Sequence, residues 1–87
     1  MCTRTVIVKN ASGLHARPAS AFTKEALKFS CKVSFSCKGK VFNAKSILQV
    51  LSAGATAGTE IEIICEGEDE AEALAAMVKA VESGLGE

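Results

Sequence analysis

A lone histidine stands in the run Gly13-Leu14-His15-Ala16-Arg17-Pro18-Ala19, and it is the first place in this chain to look for chemistry. An imidazole is nucleophilic near neutral pH, and phosphohistidine is a covalent intermediate of the phosphoryl-enzyme kind. The run reads as the seam between a glycine-containing loop and the start of a helix. A helix N-terminus offers free backbone N–H groups and a partial positive charge, which together favour anions. Ala16 and Arg17 supply such N–H groups and Pro18 does not. Arg17 adds a planar guanidinium that can pair bidentately with phosphate oxygens. A phosphoryl group on His15 would then meet backbone dipoles and a fixed cation together. The plainer alternative is a histidine that only caps a helix, beside an arginine that is a solvated surface charge.

Ser46 is the second candidate. Ser46-Ile47-Leu48-Gln49 fits a capping box, in which Ser46 caps a helix and Gln49 reaches back to it. No second base, carboxylate pair or metal-ligand set accompanies His15 in the sequence. Gly54-Ala55-Thr56-Ala57-Gly58 lacks the Lys-Ser/Thr that completes a nucleotide-binding loop. These absences speak against an autonomous kinase or hydrolase. They favour a single residue that one protein loads and another unloads, with no cofactor and no metal.

The four cysteines, Cys2, Cys31, Cys37 and Cys65, include no Cys-x-x-Cys pair. Cys31 and Cys37 lie in one strand-like run, ~20 Å apart if extended, and a disulfide needs Cα atoms within roughly 7 Å. The plain reading is free thiols that pack as small hydrophobes. A thiol redox or metal-binding module is the competing class.

The elements that must position these residues follow from periodicity. Residues 2–8 read as a strand with Cys2, Val6 and Val8 on one parity, and residues 9–15 as a loop. Ala16 to about Leu27 reads as a helix with Ala19, Phe22 and Ala26 on one face, continued by Phe29, and with Pro18 in the first turn. In residues 31–37, Cys31, Val33, Phe35 and Cys37 alternate with Lys32, Ser34 and Ser36. Lys38-Gly39-Lys40 turns into a short strand, Val41 to Asn43. Ser46 to Leu51 is a short helix, and 53–59 a loop. Residues 60–66 form a strand with Ile61, Ile63 and Cys65 inward and Glu60, Glu62 and Glu66 outward, broken by Gly67. Asp69 is expected to cap a last helix, with Glu70 and Glu72 in its first turn. Leu74, Met77, Val78, Val81 and Leu85 make its apolar stripe, and Gly84 stops it.

The order β-α-β-β-α-β-α, with each strand polar on one face, predicts an open-faced α/β (α+β) sandwich. In it a four-stranded antiparallel sheet is covered on one face by three helices. A ferredoxin-like arrangement uses the same elements and is the expected topology. A chain of 87 residues buries roughly 63% of its unfolded surface, enough for one two-layer core but not for an enclosed catalytic cavity. One domain over residues 1–87 is expected. Lys+Arg and Asp+Glu are 10 each, so net charge is zero, and a nucleic-acid partner is demoted. Aromatics are 5%, all Phe, which leaves little for base stacking. No run approaches the ~18 apolar residues of a membrane span. The N-terminus lacks the pattern of a signal peptide, so a cytoplasmic protein without membrane insertion is expected.

At residues 13–19 the sequence resembles the HPr family, the histidine-containing phosphocarriers of the bacterial phosphoenolpyruvate-dependent sugar phosphotransferase system. Gly-Leu-His-Ala-Arg-Pro-Ala is that family's active-site motif. Asn43-Ala44-Lys45-Ser46-Ile47 and Gly67-Glu68-Asp69-Glu70 agree as well, and the likeness spans essentially the whole chain. The resemblance implies that His15 accepts phosphate at Nδ1 from phosphorylated enzyme I and donates it to the IIA domains of sugar permeases. Arg17 would steady the phosphoryl group in both transfers. It further implies that Ser46, as in HPr proteins of Gram-positive type, is phosphorylated by a dedicated kinase/phosphorylase. That modification would weaken docking to enzyme I and create a surface for a catabolite-control transcription factor.

Ala16, Arg17, Ser20, Lys24, Ile47, Leu48 and Leu51 would form the docking face. Lys24, Lys28 and Lys45 would add positive potential toward acidic partners. One or two of Ile47, Leu48, Val50 and Leu51 should face solvent. The Lys-Ser-Ile match and the Gly84-Leu85-Gly86-Glu87 tail lean toward the Gram-positive type. The four cysteines, and Gln49 where many such proteins carry Gly, are departures from the family. A monomer suits a shuttle. The alternatives are a regulatory protein acting only through Ser46 and a nitrogen-branch paralogue of the carrier.

Overall fold

Alternation in the sequence becomes a sheet with one wet face. The computed structural model describes residues 1–86. Its elements are β1 (Cys2–Ile7), α1 (Ala16–Ala26), β2 (Lys32–Cys37), β3 (Lys40–Asn43), α2 (Ile47–Ser52), β4 (Glu60–Glu66) and α3 (Glu70–Glu82). Val33, Phe35 and Cys37 of β2 and Ile61, Ile63 and Cys65 of β4 are buried on the helix side. The open-faced architecture read from the sequence is the one observed, with every strand pair antiparallel. Lys38 (φ 52°) and Gly39 (φ 84°) both take positive φ between β2 and β3, as a tight two-residue hairpin turn requires.

The strand order, β1-β4-β2-β3, departs from the ferredoxin-like expectation. β1 and β2 run parallel to one another with one strand between them, as in a split βαβ unit. The inserted strand is β4, whereas the ferredoxin-like order would insert β3. β4 has buried inward residues and pairs on both sides, while the four-residue β3 pairs only with β2 and takes an edge. Ser34, expected on the wet face, is buried there because Ile64 and Asn43 flank it in the same cross-strand row. Val8 lies just past β1 but stays buried, its amide donating to the Thr59 carbonyl at 2.9 Å.

α1 meets the sheet through Phe22, whose ring stands edge-on to Phe35 at 5.3 Å, and Phe35 stacks on Phe42 at 5.5 Å. Aromatic pairs at such separations add to the stability from burial alone. α3 buries Ala73, Met77, Val78 and Val81, while Leu74, expected in this stripe, is only half-buried at its edge. The helix ends as expected at Gly84 (φ 89°). The Gly84 amide donates to the Val81 carbonyl and the Leu85 amide to the Ala80 carbonyl, both at 3.1 Å, a Schellman closure with Leu85 tucked inward. Glu87, the last residue of the tail motif, lies outside the described residues.

The start of α3 corrects a second expectation. Asp69 sits at the N-cap, yet its side chain does not cap its own helix. The carboxylate instead accepts from the Ser30 amide at 3.0 Å and the Cys31 amide at 2.9 Å, tying α3 to the lead-in of β2. These donors, Ser30 first, hold the Asp69 carboxyl below its ordinary value. Glu70 accepts from the Cys2 thiol at 3.0 Å, the Met1 ammonium at 2.8 Å and the Gly67 amide at 3.1 Å. The Cys2 thiol, with the ammonium and the amide behind it, lowers the Glu70 carboxyl from 4.5 to about 2. All four cysteines are free thiols, three of them buried and Cys2 half-buried. Among the described residues no helix is long and apolar enough to cross a membrane.

Candidate functional site

His15 is exposed between two anchors. Leu14 is buried and donates its amide to the Ala55 carbonyl at 2.8 Å, and Pro18 and Ala19 are buried at the base of α1. The preceding loop is closed on itself: the Asn10 side-chain amide donates to the Gly13 carbonyl at 2.6 Å, and the Gly13 amide to the Asn10 carbonyl at 3.1 Å. Gly13 (φ 65°) passes so close to the 53–59 loop that an added Cβ would collide with the backbone of Ala55 and Thr56. His15 itself is the N-cap of α1 in extended backbone (φ −137°, ψ 149°). Its side chain makes no capping bond, so the plainer reading, a histidine that merely caps a helix, does not describe it.

Ala16 then takes a left-handed backbone (φ 47°), rare for a residue with a Cβ and costing roughly 1–2 kcal/mol. Strained backbone of this kind gathers at functional sites. Arg17 is exposed one residue on. Neither the His15 nor the Arg17 side chain has a hydrogen bond or ion pair among the described residues, so both remain available to an incoming group. Two surface grooves of about 640 and 500 Å³ flank α3, and neither is lined by His15, Arg17 or Ser46. The imidazole stands exposed at the surface, outside both grooves.

α2 packs beside α1, which brings Ser46 and the apolar docking candidates onto the same side of the molecule as the histidine helix. Ser46 caps α2, its hydroxyl accepting from the Gln49 amide at 3.4 Å. The other half of the expected capping box is absent. Gln49 reaches past Ser46 and its side-chain carbonyl accepts from the Asn43 amide at 2.8 Å. Asn43 in turn accepts from the Lys45 amide at 2.9 Å. More apolar surface is presented than expected: only Val50 is buried, and Ile47, Leu48 and Leu51 are 37%, 75% and 37% exposed. Single exposed apolar residues are ordinary, but three on one short helix form a patch that suits docking.

Of the cationic candidates, Lys24 is exposed on α1. Lys45 is half-buried, its ammonium donating to the Phe29 carbonyl at 2.6 Å, and Lys28 pairs with Glu25 at 3.1 Å. Ser20 is half-buried and Ala16 exposed on the same helix. Among the described residues no group of three or more His, Cys, Asp and Glu side chains is arranged to hold a metal ion. Two features escaped sequence reasoning. The docking of the 10–15 loop on the 53–59 loop joins segments distant in sequence, and the left-handed Ala16 has no composition signal at all.

A family profile described as "PTS HPr component phosphorylation site" matches residues 2–83. The chain belongs to the HPr family. HPr is a phosphocarrier of the phosphotransferase system and not itself a catalytic enzyme. Among its relatives is the HPr-like protein Crh of Bacillus subtilis, 45% identical over 74 residues, covering 85% of this chain and 87% of Crh. The multiphosphoryl transfer protein of Haemophilus influenzae is 35% identical over 86 residues, and this chain spans only 17% of its length. The solved HPr of Thermoanaerobacter tengcongensis superposes with a TM-score of 0.96 at 42% identity, covering 100% of this chain and 98% of that one. A Bacillus subtilis Crh structure, described as a swapped dimer, has a TM-score of 0.77 at 40% identity, with 97% of each chain covered.

Proposed function

We propose that this HPr-family chain is a single-domain carrier. His15 takes a phosphoryl group from phosphorylated enzyme I and passes it to the IIA domains of sugar permeases. The observation that carries this reading is an exposed, unpaired imidazole fixed between buried Leu14 and Pro18, beside an unpaired Arg17. In the loading step the Nδ1 lone pair of His15 attacks phosphorus. The new P–N bond forms as the donor's bond to phosphorus breaks, and unloading runs the same exchange in reverse. The Arg17 guanidinium screens the phosphoryl oxygens, and the first amides of α1 lie nearby.

Ala16, Ser20, Lys24, Lys45, Ile47, Leu48 and Leu51 surround this point as the docking face, which serves several partners in turn. A modest, partly polar interface of that kind releases quickly. The carrier works as a cytoplasmic monomer, without nucleic acid, cofactor or metal.

The test is intact-mass spectrometry after incubation with phosphoenolpyruvate and enzyme I, beside His15→Ala. One acid-labile phosphoryl group is expected, absent in the variant. No gain, with the enzyme I shown active on another carrier, would overturn the reading.

A second layer rests on Ser46. Relatives named Crh, one of them described as a catabolite repression protein, support a regulatory role for this face. Phosphorylation of Ser46 by an HPr kinase/phosphorylase of Gram-positive type would place about 1.5–2 negative charges beside the Ile47–Leu48–Leu51 patch. That charge disfavours enzyme I and favours a catabolite-control transcription factor. His15→Ala should leave this signalling intact, and Ser46→Ala should leave the carrier step intact. If only Ser46→Ala has a phenotype, the chain is a regulatory protein first.

A further inference from the structure

The carrier chemistry leaves the cysteines unused, and three of the four converge at one end of the sheet. Cys2 on β1 and Cys65 on β4 are direct cross-strand partners. They share the parity of Val6 and Ile61, so both face the helix layer. The Val8 amide points across to the β4 side and donates to the Thr59 carbonyl, and even steps along the strand carry that orientation, and with it the hydrogen-bonded class of pair, back to Cys2 and Cys65. Such partners have Cα atoms about 5.5 Å apart, within the range that a disulfide spans.

Cys31 lies alongside, its side chain so close to Gly67 that an added Cβ there would stand 2.7 Å from the Cys31 Cβ, and its amide is held by Asp69. Cys37, six residues along β2, is ~20 Å away from Cys31. Access is unequal. Cys65 and Cys31 are buried, but Cys2 is half-buried on the edge strand. It lines the groove of about 640 Å³ between β1 and α3, with Arg4, Leu74 and Val78.

We propose that Cys2 and Cys65 form a reversible intramolecular disulfide when a small hydroperoxide enters this groove, making this end of the sheet a redox modification site. The Cys2 sulfur attacks a peroxide oxygen and the O–O bond breaks. The leaving oxygen takes the thiol proton and departs as water or alcohol, and Cys2 becomes a sulfenic acid. The Cys65 sulfur then attacks the Cys2 sulfur. The S–S bond forms, the S–O bond breaks, and hydroxide leaves with the Cys65 proton as water. The two thiols together lose two electrons, which the peroxide gains.

Glu70 accepts the Cys2 proton in a hydrogen bond and so favours the neutral thiol. The pair therefore answers sustained oxidant rather than a brief pulse, and faster as pH rises. The bond fastens edge strand β1 to β4 at the end of the strand away from His15. It is independent of the carrier reading.

The test exposes the full chain to hydrogen peroxide, removes the oxidant, unfolds the chain in denaturant to block all remaining thiols with an alkylating reagent, and maps peptides without reduction. Expected are loss of two hydrogens from the intact mass, one linked peptide pair joining Cys2 to Cys65, alkylated Cys31 and Cys37, and reversal by dithiothreitol. Cys2→Ser, at a half-buried position, should keep all three remaining thiols alkylatable at the same dose, with an unchanged circular dichroism spectrum. A Cys31–Cys65 link, a Cys2 link between two copies, or four alkylated thiols in the unmodified chain would each overturn the proposal. These are read on the unmodified chain, so a misfolded variant cannot obscure them.

Discussion

Gly13→Ala isolates what holds the histidine loop in place, because the chain carries its own control at Gly54. The two glycines have almost the same backbone, φ 65° and φ 64°. Alanine in this left-handed region costs roughly 1–2 kcal/mol at either site. They differ in surroundings. A Cβ at Gly54 meets nothing within 4 Å, whereas at Gly13 it would stand 2.7 Å from the Thr56 Cα and closer still to the Ala55 carbonyl oxygen.

That carbonyl accepts from the Leu14 amide at 2.8 Å, the bond that anchors the residue before His15. Relief of the clash must push the two loops apart and stretch this bond. Overpacking costs about 1–3 kcal/mol, and a weakened backbone bond about 0.5–1.5 kcal/mol. Gly13→Ala should therefore lose about 3–5 kcal/mol and Gly54→Ala about 1–2 kcal/mol. With a urea m-value of about 1–1.5 kcal/mol per molar, the midpoints should separate by roughly 1–3 M. Paired urea unfolding curves read this directly. Midpoints that agree within about 0.3 M would refute the reasoning, since they would mean that the close approach at Gly13 carries no energy.

Other perturbations test other parts of the structure. Val50→Ala should cost about 2 kcal/mol because the side chain is fully buried. Leu48→Ala, two residues away and 75% exposed, should stay within about 0.5 kcal/mol while slowing phosphoryl transfer from enzyme I. A Leu48→Ala chain that transfers at the normal rate would remove α2 from the docking face. Ser46→Ala should cost about 0.5 kcal/mol, the low end for a lost cap, because its bond to Gln49 is long; thermal melts measure it. Glu70, lowered to about 2 from 4.5, supports the fold above its ordinary value and loses that support as pH falls from about 4.5 to about 2. Glu70→Gln should flatten the fall in urea midpoint across this window, and an equally steep fall in the variant would show that the contact carries no pH-linked stability.

What the sequence determined by itself is everything ruled by neighbours along the chain. Period-two alternation in residues 31–37 and 60–66 assigned the inward faces of β2 and β4, because a strand's successive side chains must point to opposite sides. The helical spacing of Ala19, Phe22 and Ala26, the cap at Ser46 and the Gly84 stop were legible for the same reason: each depends on atoms within a few residues. The seam around His15 was legible as a candidate site because a loop, a helix start and an adjacent arginine can be read in order.

Only the tertiary structure decided the rest. Parity says which way a strand faces, not which strand lies beside it, so the central place of β4 was hidden. Asp69 looked like a cap from its own helix, yet Ser30 and Cys31, brought near by the fold, offer two amides instead. Gln49 likewise finds the Asn43 amide rather than its own cap. The exposed face of α2, the meeting of the 10–15 and 53–59 loops, and the convergence of Cys2, Cys31 and Cys65 share one cause. Each depends on segments far apart in the chain, whose contacts form only when the sheet closes and the helices settle on one side of it.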